Sequence, residues 1–260
     1  MLGPMKWLRR IALLALVILA GPALVIARGE VQLGGAWYRA DRSPTGLAPA
    51  AAATPEAVIQ VYAARAFNWR GILGVHTWIA TKPAGGSGYT VHQVLGWRAW
   101  GGGSAVESRP GTPDRNWFGS RPQLLVDLRG PDAGRLIPEV QAAAASYPFS
   151  HDYRLWPGPN SNTFTAWVGR QVPELGLELP ATAIGKDYLA DGVFAAAPSG
   201  TGYQLSLYGL LGVTAARAEG LELNLLGLVF GVDFGGPALK LPGIGRLGPA
   251  DARPAVPGGR

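Results

Sequence analysis

Hydrophobic and polar positions change their period several times along this chain, and each change marks an element. Lys6, Arg9 and Arg10 precede seventeen residues, Ile11 to Ala27, that are apolar almost throughout. A basic flank before such a run predicts an export or anchor segment over residues 1–27. As a helix the run would reach about 25 Å, just short of a hydrocarbon core. Val25-Ile26-Ala27 suits signal-peptidase cleavage, so cleaved signal and retained anchor both stay open. Alternation then governs residues 72–81, placing His76, Trp78 and Ala80 on one face of a strand. A glycine-rich loop at 82–88 and a second strand, Tyr89 to Trp97, complete a hairpin. Residues 203–213 and 221–225 alternate too, predicting a long glycine-rich hairpin over 203–232 closed by Thr214 to Gly220. In that register Val213 opposes Leu221 and Gly209 opposes Leu225, the reading of core strand is preferred to a membrane or partner surface, and Glu222→Gln should be nearly silent.

Helical signals are fewer. Thr54, Pro55 and Glu56 fit an N-cap and first turn, predicting a helix over 55–67. Asp132 suits the cap of a helix over 132–146, after a short strand from Leu124 to Leu128. Ala181 to Leu189 fits a short helix with Lys186 and Asp187 facing solvent. Residues 100–121 read as a glycine- and proline-rich loop, a candidate lid. The order of elements is α+β with an antiparallel sheet. The organisation expected is residues 1–27 as signal or anchor, 28–54 as linker, 55–248 as one α+β domain, and 249–260 as a flexible tail.

Composition changes this picture in three ways. The 38 glycines and 22 prolines of the 260 residues imply short elements and many turns. With three of 23 basic residues and none of the 17 acidic ones in residues 1–27, the remainder carries only +3, too little to argue for nucleic acid. There is no cysteine, which removes disulfides, thiolate metal ligands and a cysteine nucleophile together. Three histidines without metal-binding spacing predict no metal site and no cofactor.

The stretch Trp156 to Trp167 carries the candidate chemistry. Prolines at 157 and 159 and Gly158 exclude regular structure, and four helix-capping residues follow, Asn160, Ser161, Asn162 and Thr163. A hydroxyl therefore stands where a loop becomes a helix, near converging N–H groups that favour developing negative charge. Capping alone would also explain these residues.

The run Asn160-Ser161-Asn162-Thr163-Phe164 resembles the Asn-Cys-Asn-Thr-Phe-type nucleophile segment of circularly permuted papain-like proteins, the NlpC-related peptidases, amidases and acyltransferases. The segment Gly74-Val75-His76-Thr77-Trp78-Ile79-Ala80 resembles their histidine strand. Over roughly residues 60–245 the chain also resembles a bacterial family of uncharacterised membrane-associated proteins, domain of unknown function 3750. The motifs are His76-Thr77-Trp78-Ile79-Ala80, the Pro-Gly-Pro-Asn-Ser-Asn-Thr-Phe run at 157–164, Ile184-Gly185-Lys186-Asp187-Tyr188 and Glu219-Gly220-Leu221-Glu222. The papain-like resemblance implies a permuted papain-like core with Ser161 as nucleophile, in the place of the cysteine, and His76 as base. A polar residue of the next strand would orient His76: Gln93 in one register, His92 after a one-residue slip. Asn160, Asn162 and Trp78 would contact substrate. The function implied is a cell-envelope hydrolase or acyltransferase, inner-membrane anchored or periplasmic, held to the membrane by its N-terminal segment. The alternative is an inactive envelope module, binding or structural, whose ligand would be a wall fragment, a lipid or a protein.

Overall fold

A computed structural model describes residues 4–249, and the expected tail lies almost wholly outside them. The architecture is α+β, built from two antiparallel sheets and a few helices. The first sheet has five strands: β1 (Val58–Arg65), β2 (Val75–Lys82), β3 (Thr90–Val94), β4 (Val106–Pro110) and β5 (Gln123–Arg129), in the order β4-β3-β2-β1-β5. The helix expected over 55–67 is therefore a strand. Val58, Ile59, Val61 and Tyr62 favour extended chain. As an interior strand between β2 and β5, β1 is buried on both faces, so its apolar run carries no alternation to read. Thr54 spends its hydroxyl on the Ala50 carbonyl (2.9 Å) rather than on a following helix.

The helices are α1 (Pro4–Ala27), the short turn α2 (Gly96–Trp100), α3 (Pro131–Ala145) and α4 (Ser161–Gln171), of which α3 and α4 pack on one face of this sheet. Ile59, Val61 and Ile79 meet Val140 of α3 and Phe164 of α4 in one core cluster. On the other face Tyr62, Trp78 and Trp117 form a second cluster. β3 stops at Val94 because Gly96 begins a helical turn, and the expected loop at 100–121 contributes β4, paired to β3 from Val94–Val106 to Thr90–Pro110. Residues 45–48 are pinned to the first sheet's margin by Asp114, whose carboxylate accepts from the Thr45 (3.2 Å) and Leu47 (2.8 Å) amides.

The second sheet is a seven-stranded meander: β6 (Phe194–Ala196), β7 (Gly202–Leu207), β8 (Leu211–Ala216), β9 (Gly220–Leu225), β10 (Leu228–Asp233), β11 (Ala238–Leu241) and β12 (Gly245–Leu247). The single long hairpin expected over 203–232 is thus four strands. Val213 pairs with Leu223, not Leu221, and Gly209 lies in the β7–β8 turn at φ +69°, beside Tyr188 rather than Leu225. The alternation is real, but Gly209 and Gly227 are turn residues where backbone requires the left-handed region, while Gly212 and Gly231 lie within β8 and β10. Gly209→Val should therefore still destabilise, by about 2 kcal/mol, through backbone strain. An unchanged denaturation midpoint would contradict this.

The polarity of this sheet is inverted. One row runs Ala196–Tyr203–Ala215–Leu221–Val232–Leu239–Leu247 across all seven strands, and the next runs Phe194–Leu205–Val213–Leu223–Phe230. These apolar rows face outward, whereas Gln204, Ser206, Thr214, Glu222, Asn224 and Lys240 are buried beneath. The segment expected as a helix over 181–189 is a series of turns, and Lys186 and Asp187 are buried, not solvent-facing. They join the polar layer: the Lys186 ammonium lies 2.6 Å from Glu222, and Asn224 donates to Asp187 (2.9 Å). Partners thirty-six and thirty-seven positions apart leave no local signal.

At the chain's start, α1 packs its last turns against the β11–β12 turn, where Gly21 meets Pro242 and Gly243 meets Pro22. Among the described residues no helix is long and apolar enough to cross a membrane.

Candidate active site

The helix signal before α4 resolves into one cap. Asn160 is the N-cap: its Oδ1 accepts from the Asn162 (2.9 Å) and Thr163 (3.3 Å) amides, and its own amide donates to Thr163 Oγ1 (3.0 Å). Asn160 Nδ2 also reaches the Leu155 and Ile184 carbonyls, both at 3.1 Å. Gly185, at φ +99°, lies so close to the Asn160 side chain that no Cβ would fit there. Ser161 is the first helical residue. Its hydroxyl has no hydrogen-bond partner among the described residues, and its amide is the first-turn N–H left without an acceptor.

β2 meets this turn through Thr77, not His76. Thr77 Oγ1 donates within a small polar knot made by the Ser161 carbonyl (3.3 Å), Asn162 Oδ1 (3.0 Å) and Thr165 Oγ1 (2.9 Å). Asn162 Nδ2 ties the Val75 (3.0 Å) and Ile184 (2.8 Å) carbonyls to the same place. Asn162 is thus occupied in joining helix, strand and turn, and Asn160 in capping. Trp78 is buried on the opposite face and donates its indole N–H to the Pro113 carbonyl (2.7 Å).

His76 shares that opposite face with Trp78. Its ring lies flat on Trp117, centroids 3.7 Å apart and planes 11° apart. Its Nε2 faces Gln93 Oε1 at 3.3 Å, while Gln93 Nε2 donates to Glu107 (2.8 Å). The second bond fixes the first: with the amide nitrogen turned to a carboxylate, the amide oxygen must accept, so His76 Nε2 carries the proton and Nδ1 is bare. Glu107 is held in turn by Arg98 (3.4 Å) and Arg109 (3.0 Å). The β2–β3 register pairs Ile79 with His92, so Gln93 stands opposite Trp78 and meets His76 on the diagonal. His92 is on the other face, between Thr81 (3.0 Å) and Ser108 (2.8 Å).

No hydrogen bond joins Ser161 to His76. Both the Ser161 hydroxyl and His76 Nδ1 nevertheless keep contact with solvent, because the unpartnered buried side-chain atoms among the described residues are the Tyr147 hydroxyl and Arg246 Nε. The β2–β3 ladder begins only at Ile79, so the strand is not laddered to β3 beside His76. A cleft of about 250 Å³, lined by Tyr147, Thr163, Trp167, Arg170 and Tyr188 among others, lies along α4 and includes neither residue. Among the described residues no cluster of metal-ligating side chains occurs.

Burial pushes the His76 pKa down to about 3, against the Gln93 bond that favours the charged form, and pushes that of His92 to about 4. The imidazole of His76 is therefore neutral at pH 7. Both folded values lie below the ordinary 6.5 of an unfolded histidine. As pH falls from about 6.5 toward 4, the unfolded chain takes up protons that the folded chain refuses, and stability drops. His76→Asn should lose less stability than wild type between pH 7 and pH 4 in denaturant titrations. An equal loss in the two proteins would show that His76 is not held neutral.

Five antiparallel strands, a capped helix beginning at a serine and an oriented histidine define an α+β protein with a candidate Ser/His site. The family model described as "Protein of unknown function (DUF3750)" matches residues 56–188, half of the chain, and the chain belongs to that family. The matched span holds the first sheet, α4 and every candidate site residue, and ends before the seven-stranded sheet. It is narrower than the 60–245 over which the sequence motifs run. No curated protein and no solved structure matches the chain significantly.

Proposed function

We propose that this chain is a cell-envelope hydrolase or acyltransferase of papain-like type, with Ser161 as nucleophile and His76 as general base. The observation that carries the reading is the Glu107–Gln93–His76 relay, which leaves Nδ1 as the bare nitrogen. A base oriented through one ring nitrogen by an amide, with the other nitrogen available, is the arrangement that nucleophile activation needs. The unengaged Ser161 hydroxyl and amide add a nucleophile and one donor for an oxyanion at a helix N-terminus. The N-terminal segment would place the enzyme at the inner membrane or in the periplasm. The test is turnover of short-chain acyl esters by the full-length protein against Ser161→Ala. Equal rates in the two proteins would remove the proposal.

A second reading is favoured by one observation. Thr77, on the other face of β2 from His76, makes the hydrogen bonds to the first turn of α4. In that reading the site is a rigid joint and the chain an inactive envelope module.

A further inference from the structure

We propose that the outer face of the seven-stranded sheet beds on the acyl-chain layer of a lipid bilayer, at one leaflet. The proposal does not depend on catalysis at Ser161. Apart from the Tyr203 hydroxyl no polar or charged side chain stands in these two rows, where Leu205, Val213 and Leu223 are 55%, 43% and 41% exposed. Seven strands about 4.8 Å apart and three to six residues long present roughly 500 Å², toward the upper end of what a soluble monomer leaves uncovered. Apolar side chains outward over a polar, hydrogen-bonded layer is the alternation that strands adopt against lipid. The sheet does not span the membrane. Its strands of three to six residues are shorter than the nine or more that spanning takes, and among the described residues β6 and β12 are edge strands.

Two observations choose lipid over a second copy of the chain. The first is α1, whose exposed Leu16 and Leu19 belong to the apolar N-terminal run and whose last turns dock on the β11–β12 turn. The helix with the basic flank therefore meets this sheet at the end that carries the β11–β12 turn. The second lies in the turns at that same end. The β7–β8 and β9–β10 turns carry Tyr208 and Leu226 at their tips, 75% and 65% exposed and both at positive φ. Turns there ordinarily hold glycine or asparagine. Trp156 lies beside them, half exposed, its indole N–H on the Leu226 carbonyl (2.9 Å), an aromatic with one wet and one apolar side. Two sheets packed face to face would cover the rows but leave these tips in water. A bilayer takes up face, tips and helix together.

Because the chain has no cysteine, one introduced thiol is a unique label. Full-length Leu223→Cys, Tyr208→Cys and Glu174→Cys proteins, each carrying an environment-sensitive fluorophore, would be mixed with phosphatidylcholine vesicles with and without brominated acyl chains. Glu174 is 49% exposed at its side chain, stands in neither apolar row, and serves as the control. The expected result is a blue shift at 223 and 208 with loss of at least half the emission to brominated lipid, and no change at 174. A label at 223 shielded from both water-soluble quencher and brominated lipid, increasingly so with protein concentration, would mean a second copy and overturn the proposal. Labels at 223 and 208 still open to water-soluble quencher in the presence of vesicles would overturn it too.

Discussion

Glu222→Gln is expected to destabilise the protein by about 3–5 kcal/mol, the scale of breaking a buried ion network from one side. The Glu222 carboxylate lies between Lys186 (2.6 Å) and Lys240 (2.9 Å), and all three residues are 2% exposed. Lys240 also touches Glu178 (2.6 Å) and donates to the Glu219 carbonyl (2.8 Å). Burial alone would push the Glu222 pKa up, but the two ammonium groups outweigh it and hold the carboxyl below its ordinary value. Glutamine keeps the shape and removes the charge, leaving two buried cations with one fewer partner. Because the folded pKa of Glu222 is depressed, its contribution is present above the ordinary carboxylate pKa and lost as pH falls through the folded value. Denaturant unfolding at neutral pH measures the loss. Replacing Lys186, Glu222 and Lys240 together by apolar residues should recover much of it, since the desolvation cost goes with the charges. A near-silent Glu222→Gln would mean that the polar layer beneath the second sheet is wrongly drawn.

The second large effect is on activity. Ser161→Ala should lower turnover roughly a thousandfold or more while moving stability by less than about 0.5 kcal/mol. The small stability effect follows from the structure, since the cap is Asn160 and the Ser161 hydroxyl makes no hydrogen bond. Asn160→Ala should show the reverse, costing at least about 1 kcal/mol with the cap lost. Ser161→Cys should keep or raise activity, because a thiol at a helix N-terminus ionises with less help from a weak base. His76→Ala should be as damaging as Ser161→Ala, and the double variant no worse, because the two residues act as one unit. Stability and turnover measured on wild type and these five variants separate catalysis from capping.

What the sequence disclosed follows from where its signals are local. Alternation through His76, Trp78 and Ala80 predicted β2 and its faces, and the cap residues at 160–163 predicted the start of α4. The α+β class was legible for the same reason. β1 was not, because a strand buried on both sides has no period and Thr54-Pro55-Glu56 imitates a helix start. The second sheet was half legible: its period is plain, but which side faces inward depends on Lys186, Asp187 and Arg170 supplying partners to the polar side. Those contacts are long-range. Gln93 was distinguished from His92 only by the register between Ile79 and His92, which loop composition does not fix.

In the proposed mechanism His76, oriented by Gln93, activates Ser161. The most direct measurement is labelling of the full-length protein by a fluorophosphonate probe, with the modified residue located by peptide mass. The account predicts covalent labelling at Ser161 that disappears in Ser161→Ala and falls at least tenfold in His76→Ala with the fold intact. A folded wild-type protein that takes no label, or one labelled equally with and without His76, would contradict it.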